Sequence, residues 1–131
     1  MSELRVLIVS DDPLLRHMTS AWFERSGFSV TAVSDSERAA EACERARFDA
    51  VIVDFEMVNM QSYETVLFLR AQAREQAIVV LMDSPEERFS ALICGASKAL
   101  VKPVPMIELE REVRRVIEES AARWASAGVS S

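Results

Sequence analysis

Residues 49–54, with the sequence DAVIVD, decide the fold class because an uninterrupted apolar run lies between two acids. A strand with one face in water alternates apolar and polar residues, whereas a strand buried on both faces is continuously apolar. Ala77–Met82, with the sequence AIVVLM, has the same character. Both runs are short and rich in Val and Ile, so they predict buried strands rather than helices. Strands of this kind belong to parallel sheets that helices cover on both faces.

The rest of the chain alternates short apolar runs with longer amphipathic segments. Further strands are predicted at 4–9, 28–33 and 99–101. Five strands that alternate with five helices predict an α/β fold with a doubly wound parallel sheet. Right-handed crossovers favour the strand order 2-1-3-4-5, the flavodoxin-like arrangement. The helices are predicted to start at Pro13, Ser36, Ser62, Ser84 and Pro105, with Ser36 and Ser62 as N-caps.

The composition is that of one globular domain. The chain has 131 residues, of which 50% are hydrophobic and 27% charged, and we expect a domain at 1–125 and a C-terminal tail at 126–131. No signal peptide is visible and no apolar run has the length of a membrane span, so a cytoplasmic protein without a membrane partner is expected. The net charge of −6 argues against direct binding to nucleic acid. Cys43 and Cys94 are expected as free thiols.

Acidic side chains and a lysine follow the predicted strands, at the edge where a parallel sheet binds its ligands. Asp11 follows the first strand, Asp54 ends the third, and Lys102 follows the fifth. Carboxylates that lie close together repel each other unless a cation neutralises them, and Mg²⁺ prefers carboxylate, water and phosphate oxygens. A strand-end Asp can act as a nucleophile toward phosphorus, and a lysine suits a phosphoryl oxygen. The pattern therefore predicts phosphoryl chemistry with a bound Mg²⁺.

Three motifs, in order and at matching strand ends, give the chain its resemblance to a known family. They are residues 8–13 (IVSDDP), 54–60 (DFEMVNM) and 95–103 (GASKALVKP). Over about residues 4–119 the chain resembles a receiver domain of two-component response regulators. The resemblance implies a cytoplasmic signalling phosphoprotein. Such a domain accepts a phosphoryl group from a histidine kinase or a phosphotransfer protein and regulates a partner or an effector domain.

The resemblance also implies a role for each matching residue. Asp54 matches the phosphoacceptor, and Lys102 matches the lysine that contacts the phosphoryl group. Asp11 matches the main acidic Mg²⁺ ligand, together with Asp54, while Ser10 or Asp12 could hold the metal through a water. The bond between Lys102 and the following proline is cis in this family. Output is expected through the last two strands and their helices, and a homodimer through the face of the last helix.

Four positions depart from the family pattern, and all four concern the site. Ser10 lies where an acid is usual, which is expected to weaken the Mg²⁺ site. Met82 replaces the Thr or Ser whose hydroxyl relays the phosphoryl signal, and Ala99 replaces an aromatic switch residue. Asp83 replaces a small residue, and a carboxylate roughly 5 Å from a phosphoryl group costs about 3 kcal/mol at an effective dielectric of about 20. Phosphorylation is therefore expected without the usual relay.

The alignment leaves two alternatives for the missing hydroxyl. An ungapped alignment places Val80 at the Thr position, and valine also lacks a hydroxyl. Ser84 could substitute for it if the loop after the fourth strand folds back toward the site.

Two other functions compete with a phosphoacceptor. The first is a degenerate pseudo-receiver that binds a protein partner without phosphorylation. The second is a phosphatase with an Asp nucleophile, but such enzymes usually carry a second Asp two residues after the nucleophile, where this chain has Glu56. They also need a cap or a longer chain, so we expect a protein that is not an enzyme.

Overall fold

The computed structural model describes residues 3–54, 62–72 and 76–126, and it confirms the predicted sheet. All strand pairs are parallel, and the order is β2-β1-β3-β4-β5. Because β1 and β3 are neighbours in the sheet, their carboxyl ends lie side by side. The strands are β1 (Arg5–Val9), β2 (Ser29–Val33), β3 (Ala50–Asp54), β4 (Ala77–Met82) and β5 (Lys98–Val101).

Five helices alternate with the strands in the part of the chain that the structure describes, and they begin close to the predicted positions. A 3₁₀ turn, Pro85–Glu87, precedes the fourth helix, and Ser84 caps that turn by accepting a hydrogen bond from the Glu86 N–H. The helices are α1 (Pro13–Arg25), α2 (Ser36–Arg45), α3 (Ser62–Gln72), α4 (Arg88–Ile93) and α5 (Met106–Ser126).

The predicted cap of α2 was wrong by one residue. Asp35, not Ser36, is the N-cap, and its Oδ1 accepts a hydrogen bond of 2.8 Å from the Arg38 N–H. Asp35 is in the extended conformation that lets a cap side chain reach the third helical N–H, whereas Ser36 is already helical. At the other end of the chain, α5 includes Ser126, the first residue of the predicted tail, and 127–131 lie outside the described residues.

The sheet is buried on both faces, as its apolar strands predict. Alternate strand residues, such as Ile8 and Ile52, face α1 and α5 and pack against Phe23, Leu109 and Val113. The other strand residues form a second apolar cluster with side chains of α2, α3 and α4. This second cluster contains Leu7, Val9, Val51, Val53, Ile78, Val80 and Met82 from the strands, and Ala39, Val66, Leu69 and Ala91 from the helices.

A hydrogen-bond network joins the first and last helices on one face of the sheet. Glu110 of α5 accepts hydrogen bonds of 2.8 Å from the Trp22 indole, the Ser26 hydroxyl and the Arg114 guanidinium. The Arg114 guanidinium also lies 4.6 Å from the centre of the Phe28 ring. Burial raises the pKa of Glu110, but the hydrogen bonds from these three donors lower it more, so the pKa lies below its usual value.

We expect the Glu110→Gln variant to lose about 2 kcal/mol of unfolding free energy at neutral pH, because charge-assisted hydrogen bonds become neutral ones. The folded-state pKa is depressed, so the wild type holds this stability above the unfolded pKa and loses it as pH falls through the folded pKa. The difference between the two proteins in urea unfolding should therefore shrink below about pH 4. Glu108→Gln, at an exposed position of the same helix, is the control. An equal loss in both variants would contradict the assignment.

Both cysteines are free and half-buried, as predicted. In the described residues, none of the helices has the length and apolar character needed to cross a membrane.

Candidate functional site

Asp54 lies at the buried carboxyl end of β3, between β1 and β4. Its backbone pairs with Leu81 of β4, and only 4% of the residue is exposed to solvent. Oδ2 accepts a hydrogen bond of 2.9 Å from the Ser10 hydroxyl. Oδ1 lies 3.0 Å from Nζ of Lys102, within ion-pair distance. A carboxylate in this position is desolvated, and its partners after β1 and β5 hold its orientation.

Lys102 reaches the site from the residue after β5. Its backbone N–H donates a hydrogen bond of 2.7 Å to the Met82 carbonyl, which continues the pairing of β4 and β5. The Lys102–Pro103 peptide bond is cis, as the resemblance implies. The side chain is 25% exposed, and Nζ contacts two carboxylates, Asp54 Oδ1 at 3.0 Å and Asp83 Oδ1 at 3.2 Å. Burial lowers the pKa of Lys102, but these two carboxylates raise it more, so the lysine is positively charged at neutral pH.

Ser10 takes part in the site as a hydrogen-bonding residue. It is 1% exposed, its hydroxyl donates to Asp54, and the same oxygen accepts a hydrogen bond of 3.1 Å from the Asp12 N–H. Its carbonyl accepts a hydrogen bond of 2.8 Å from the Arg16 guanidinium. Ser10 therefore fixes Asp54 without adding a negative charge.

The two acids after Ser10 have different placements. Asp12 is exposed and caps α1, where its Oδ1 accepts hydrogen bonds from the N–H groups of Leu14 and Leu15. Asp11 is half-buried directly after Ser10 and is not without an interaction partner. In the described residues, no group of three or more acidic, histidine or cysteine side chains is placed to hold a metal ion. Of the acids at this edge of the sheet, Asp54 and Asp83 both contact Lys102.

Three positions that depart from the family pattern, Met82, Ala99 and Asp83, lie after or within β4 and β5, and two of them are apolar and one is acidic. Met82 is fully buried and Ala99 is nearly so, and both belong to the cluster of α2, α3 and α4. Asp83 follows Met82 with its side chain 60% exposed and pairs with Lys102. Repulsion of a phosphoryl group is therefore only one part of the expected effect of Asp83 on the site, because the Asp83 carboxylate already pairs with the Lys102 ammonium.

An arginine that the sequence analysis missed positions the loop before β5. Arg70 of α3 donates hydrogen bonds to the Gly95 carbonyl from Nε (3.0 Å) and Nη2 (2.8 Å), and to the Gln76 carbonyl from Nη1 (2.8 Å). Gly95 has φ of +117°, and a Cβ there would lie 3.0 Å from Cγ of Arg70. An arginine in the last turn of a helix suggests only capping, so the sequence carried no signal for this contact.

We expect Arg70→Ala to lower the unfolding free energy by about 3 kcal/mol, because it leaves two partly buried carbonyls without these donors. Urea unfolding would measure the loss. Arg88→Ala, at an exposed position of α4, is the control and should change stability by less than about 0.5 kcal/mol. Equal effects of the two substitutions would show that Arg70 does not tie the loop to α3.

A buried strand-end aspartate beside a lysine, on a five-stranded parallel sheet in this order, defines the class of phosphoryl-receiving signalling modules. The chain matches the response regulator receiver domain family over residues 6–114, and it belongs to this family. It is therefore a receiver domain of two-component response regulators.

Named relatives agree with this assignment. The chain is 36% identical over 110 residues to the transcriptional activator protein PfeR of Pseudomonas aeruginosa, covering 81% of this chain and 35% of PfeR. It is 30% identical over 129 residues to the response regulator MprA of Mycobacterium leprae, covering 97% of this chain and 57% of MprA. The chain thus spans between about a third and somewhat more than half of the length of these relatives.

Solved structures show the same fold. The chemotaxis response regulator CheY4 of Vibrio cholerae superposes with a TM-score of 0.81 at 31% identity, covering 88% of this chain and 99% of CheY4. The response regulator TrrA of Thermotoga maritima, solved in complex with Mg²⁺ and BeF, gives a TM-score of 0.78 at 23% identity, covering 86% of this chain and 98% of TrrA. Receiver domains bind Mg²⁺ at the phosphorylation site, and response regulators partner with histidine kinases or phosphotransfer proteins.

The structure brings residues from the ends of four strands into contact, namely Ser10 after β1, Asp54 of β3, Asp83 after β4 and Lys102 after β5. Residues 55–60 of the second motif, including Glu56, lie outside the described residues.

Proposed function

We propose that Asp54 accepts a phosphoryl group from a phosphohistidine of a histidine kinase or phosphotransfer protein. The observation that carries this proposal is the 3.0 Å contact between the buried Asp54 carboxylate and the Lys102 ammonium. A carboxylate oxygen of Asp54 attacks phosphorus while the bond from phosphorus to the imidazole nitrogen breaks. The bonding pair stays on the nitrogen, and the product is an acyl phosphate on Asp54.

The residues around Asp54 prepare it for this step. Lys102 supplies a positive charge beside the attacking group, where negative charge accumulates on the phosphoryl oxygens. The Ser10 hydroxyl holds the other carboxylate oxygen and so limits rotation of the side chain. Both partners come from strand ends at the same edge of the sheet, Ser10 after β1 and Lys102 after β5, so the arrangement exists before the donor binds.

The donor set fits a weakly held Mg²⁺. Asp54 and Asp83 carry two negative charges against the single charge of Lys102, and Asp11 directly follows Ser10, whose hydroxyl contacts Asp54. Asp11 and Asp54 would hold the ion with waters, and Ser10 or Asp12 could contribute only through water. When bound, Mg²⁺ neutralises charge on the phosphoryl oxygens. Because Ser10 brings no charge, the affinity is expected to be lower than with a second acid at this position.

We expect one phosphoryl adduct when the protein is incubated with Mg²⁺ and acetyl phosphate and weighed intact by mass spectrometry. Asp54→Asn should abolish the adduct, because an amide oxygen is not a nucleophile of comparable strength. Glu118→Gln, which removes an exposed carboxylate of α5, is the control and should keep it. An adduct that survives in Asp54→Asn, or that fails to form on the wild type, would overturn the proposal.

A second candidate is an interaction module that works without phosphorylation. The buried apolar contacts of Met82 and Ala99 favour it, because neither side chain can relay a phosphoryl group through a hydroxyl or an aromatic rotation. Amide NMR shifts with beryllium fluoride, a phosphoryl mimic, and Mg²⁺ separate the two candidates. Shifts confined to the site would support the interaction module, whereas shifts that reach Ala99 and α5 would show a working relay.

The setting of the protein is also part of the proposal. We infer that it acts in the cytoplasm, where the two thiols stay reduced, and that it is not a turnover enzyme. The acidic domain does not itself bind nucleic acid, and α5 provides the face for a homodimer. Size-exclusion chromatography with light scattering, with and without beryllium fluoride, tests that dimer.

A further inference from the structure

A cleft of about 520 Å³ lies beside the edge strand β2, between α1 and α2. Its volume is in the range of small-molecule sites. It is formed because β2 ends the sheet in the described part of the chain, so α1 and α2 flank an open edge. Asp54, Asp83 and Lys102 are not among the residues that line this cleft.

The walls of the cleft are basic although the protein is acidic. Arg16 of α1 lines one side, and Arg38 and Arg45 of α2 line the other. Arg38 and Arg45 are seven residues apart, so they lie on one helix face with their Cα atoms separated by about 10 Å along the axis. Glu41, between them, is the single acidic residue that lines the cleft among the residues that the structure describes.

These guanidinium groups are available to a ligand. The Arg16 guanidinium donates one hydrogen bond of 2.8 Å, from Nη1 to the Ser10 carbonyl. This hydrogen bond orients the guanidinium and does not use its other N–H groups. Arg38 pairs with Asp35 at 3.3 Å, but its side chain is 65% exposed, and an exposed pair of this kind is weak. Arg45 is exposed. Guanidinium groups bind phosphate oxygens in pairs of parallel hydrogen bonds.

The floor of the cleft is apolar and its rim adds a backbone donor. Val33, Ala42 and Phe48 line the floor. In a parallel strand, the N–H and C=O of one residue point to the same side of the strand, and those of the next residue point to the other side. The backbone of Val33 points to β1, because its C=O accepts a hydrogen bond from the Ser10 N–H. The N–H and C=O of Ala32 therefore point to the open edge, where they can bond to a ligand.

We propose that this cleft binds a nucleotide that carries several phosphate groups. The apolar floor accommodates the base, the three arginines bind the phosphates, and Glu41 accepts hydrogen bonds from sugar hydroxyls. A purely apolar ligand would make no use of the three guanidinium groups, and inorganic phosphate would not use the floor. Charge and shape together therefore select a nucleoside polyphosphate over either.

The test is a titration of ¹⁵N-labelled protein with ATP, adenosine and inorganic triphosphate, in magnesium-free buffer and followed by amide NMR shifts. We expect ATP to give saturable shifts that centre on Ala32, Ser34 and Ala42, with weaker binding of triphosphate and none of adenosine. Arg45→Gln should weaken ATP binding about tenfold, since one charge-assisted contact is lost. Arg88→Gln, an exposed arginine of α4, is the matched control and should bind as the wild type does.

Several results would overturn the proposal. The first is the absence of saturable shifts at millimolar ATP. The second is a set of shifts that centre on Lys102 and Asp83 instead of β2 and α2, which would place the ligand in the phosphoacceptor site. Equal affinities for ATP and triphosphate would show that the apolar floor does not contribute to binding. Equal affinities of Arg45→Gln and Arg88→Gln for ATP would show that the ligand does not bind in this cleft.

Discussion

Lys102→Met should weaken binding of beryllium fluoride about 100-fold in the presence of Mg²⁺, as expected when one preorganised cationic donor to a phosphoryl group is removed. The physical reason is that Nζ lies 3.0 Å from Asp54 Oδ1, beside the position that the phosphoryl mimic occupies on this carboxylate. Methionine keeps an unbranched side chain that is one atom shorter and removes the charge. Fluoride NMR or amide shifts give the dissociation constant.

Lys98→Met is the matched control, because Lys98 is the other lysine of the chain and lies on β5. Its Nζ is 4.0 Å from Glu112 on α5, far along the strand from the site. This variant should bind the mimic as the wild type does. If Lys102→Met is folded by circular dichroism but changes the affinity by less than about threefold, the lysine is not a phosphoryl contact.

Asp83→Asn should have the opposite effect and tighten binding of beryllium fluoride about tenfold. Asp83 Oδ1 lies 3.2 Å from Lys102 Nζ, so it competes with an incoming phosphoryl oxygen for the same ammonium and adds like charge beside it. The side chain is 60% exposed, so solvent screens part of the interaction, and the expected gain is well below the unscreened Coulomb energy. Asparagine keeps the shape and removes the charge.

Glu86→Gln is the control for Asp83→Asn, since it removes an exposed carboxylate from the following turn. It should leave the affinity unchanged within about twofold. The gain in Asp83→Asn should also diminish in high salt, because salt screens exposed charges. Weaker binding in Asp83→Asn would mean that the carboxylate supports the site, and would refute the competition.

Strand positions were predictable because continuous apolar runs in a parallel sheet leave a strong signal. The run around Val79 predicted its strand at the observed bounds and the run around Val51 within one residue, and crossover handedness favoured the observed order. The convergence of Asp54 and Lys102 followed from their places at strand ends, where topology alone brings distant residues together. The N-caps and first residues of the helices were harder to predict, as α2 shows, whose N-cap is Asp35 and not Ser36. A cap depends on the backbone conformation of one residue, which two neighbouring polar residues can satisfy equally well.

The contacts of side chains with one another were not predictable from the pattern. The pairing of Asp83 with Lys102 depends on where the loop after β4 leaves the sheet, and the role of Arg70 depends on the position of Gly95 in space. Ser10 was identified as a lost acid, but its hydrogen bond to Asp54 required the neighbouring placement of β1 and β3. Each of these contacts joins residues from different elements, for which spacing along the chain carries no information.

The most direct test of the phosphoacceptor assignment is chemical mapping of the modified residue. Sodium borohydride reduces an acyl phosphate to an alcohol with release of phosphate, so it converts a phosphorylated aspartate into homoserine. After treatment with acetyl phosphate and Mg²⁺, then borohydride, tandem mass spectrometry of the digested protein should find homoserine at position 54 and at no other aspartate. Homoserine at Asp11 or Asp83, or unmodified Asp54 in protein that carries the phosphoryl mass, would contradict the account.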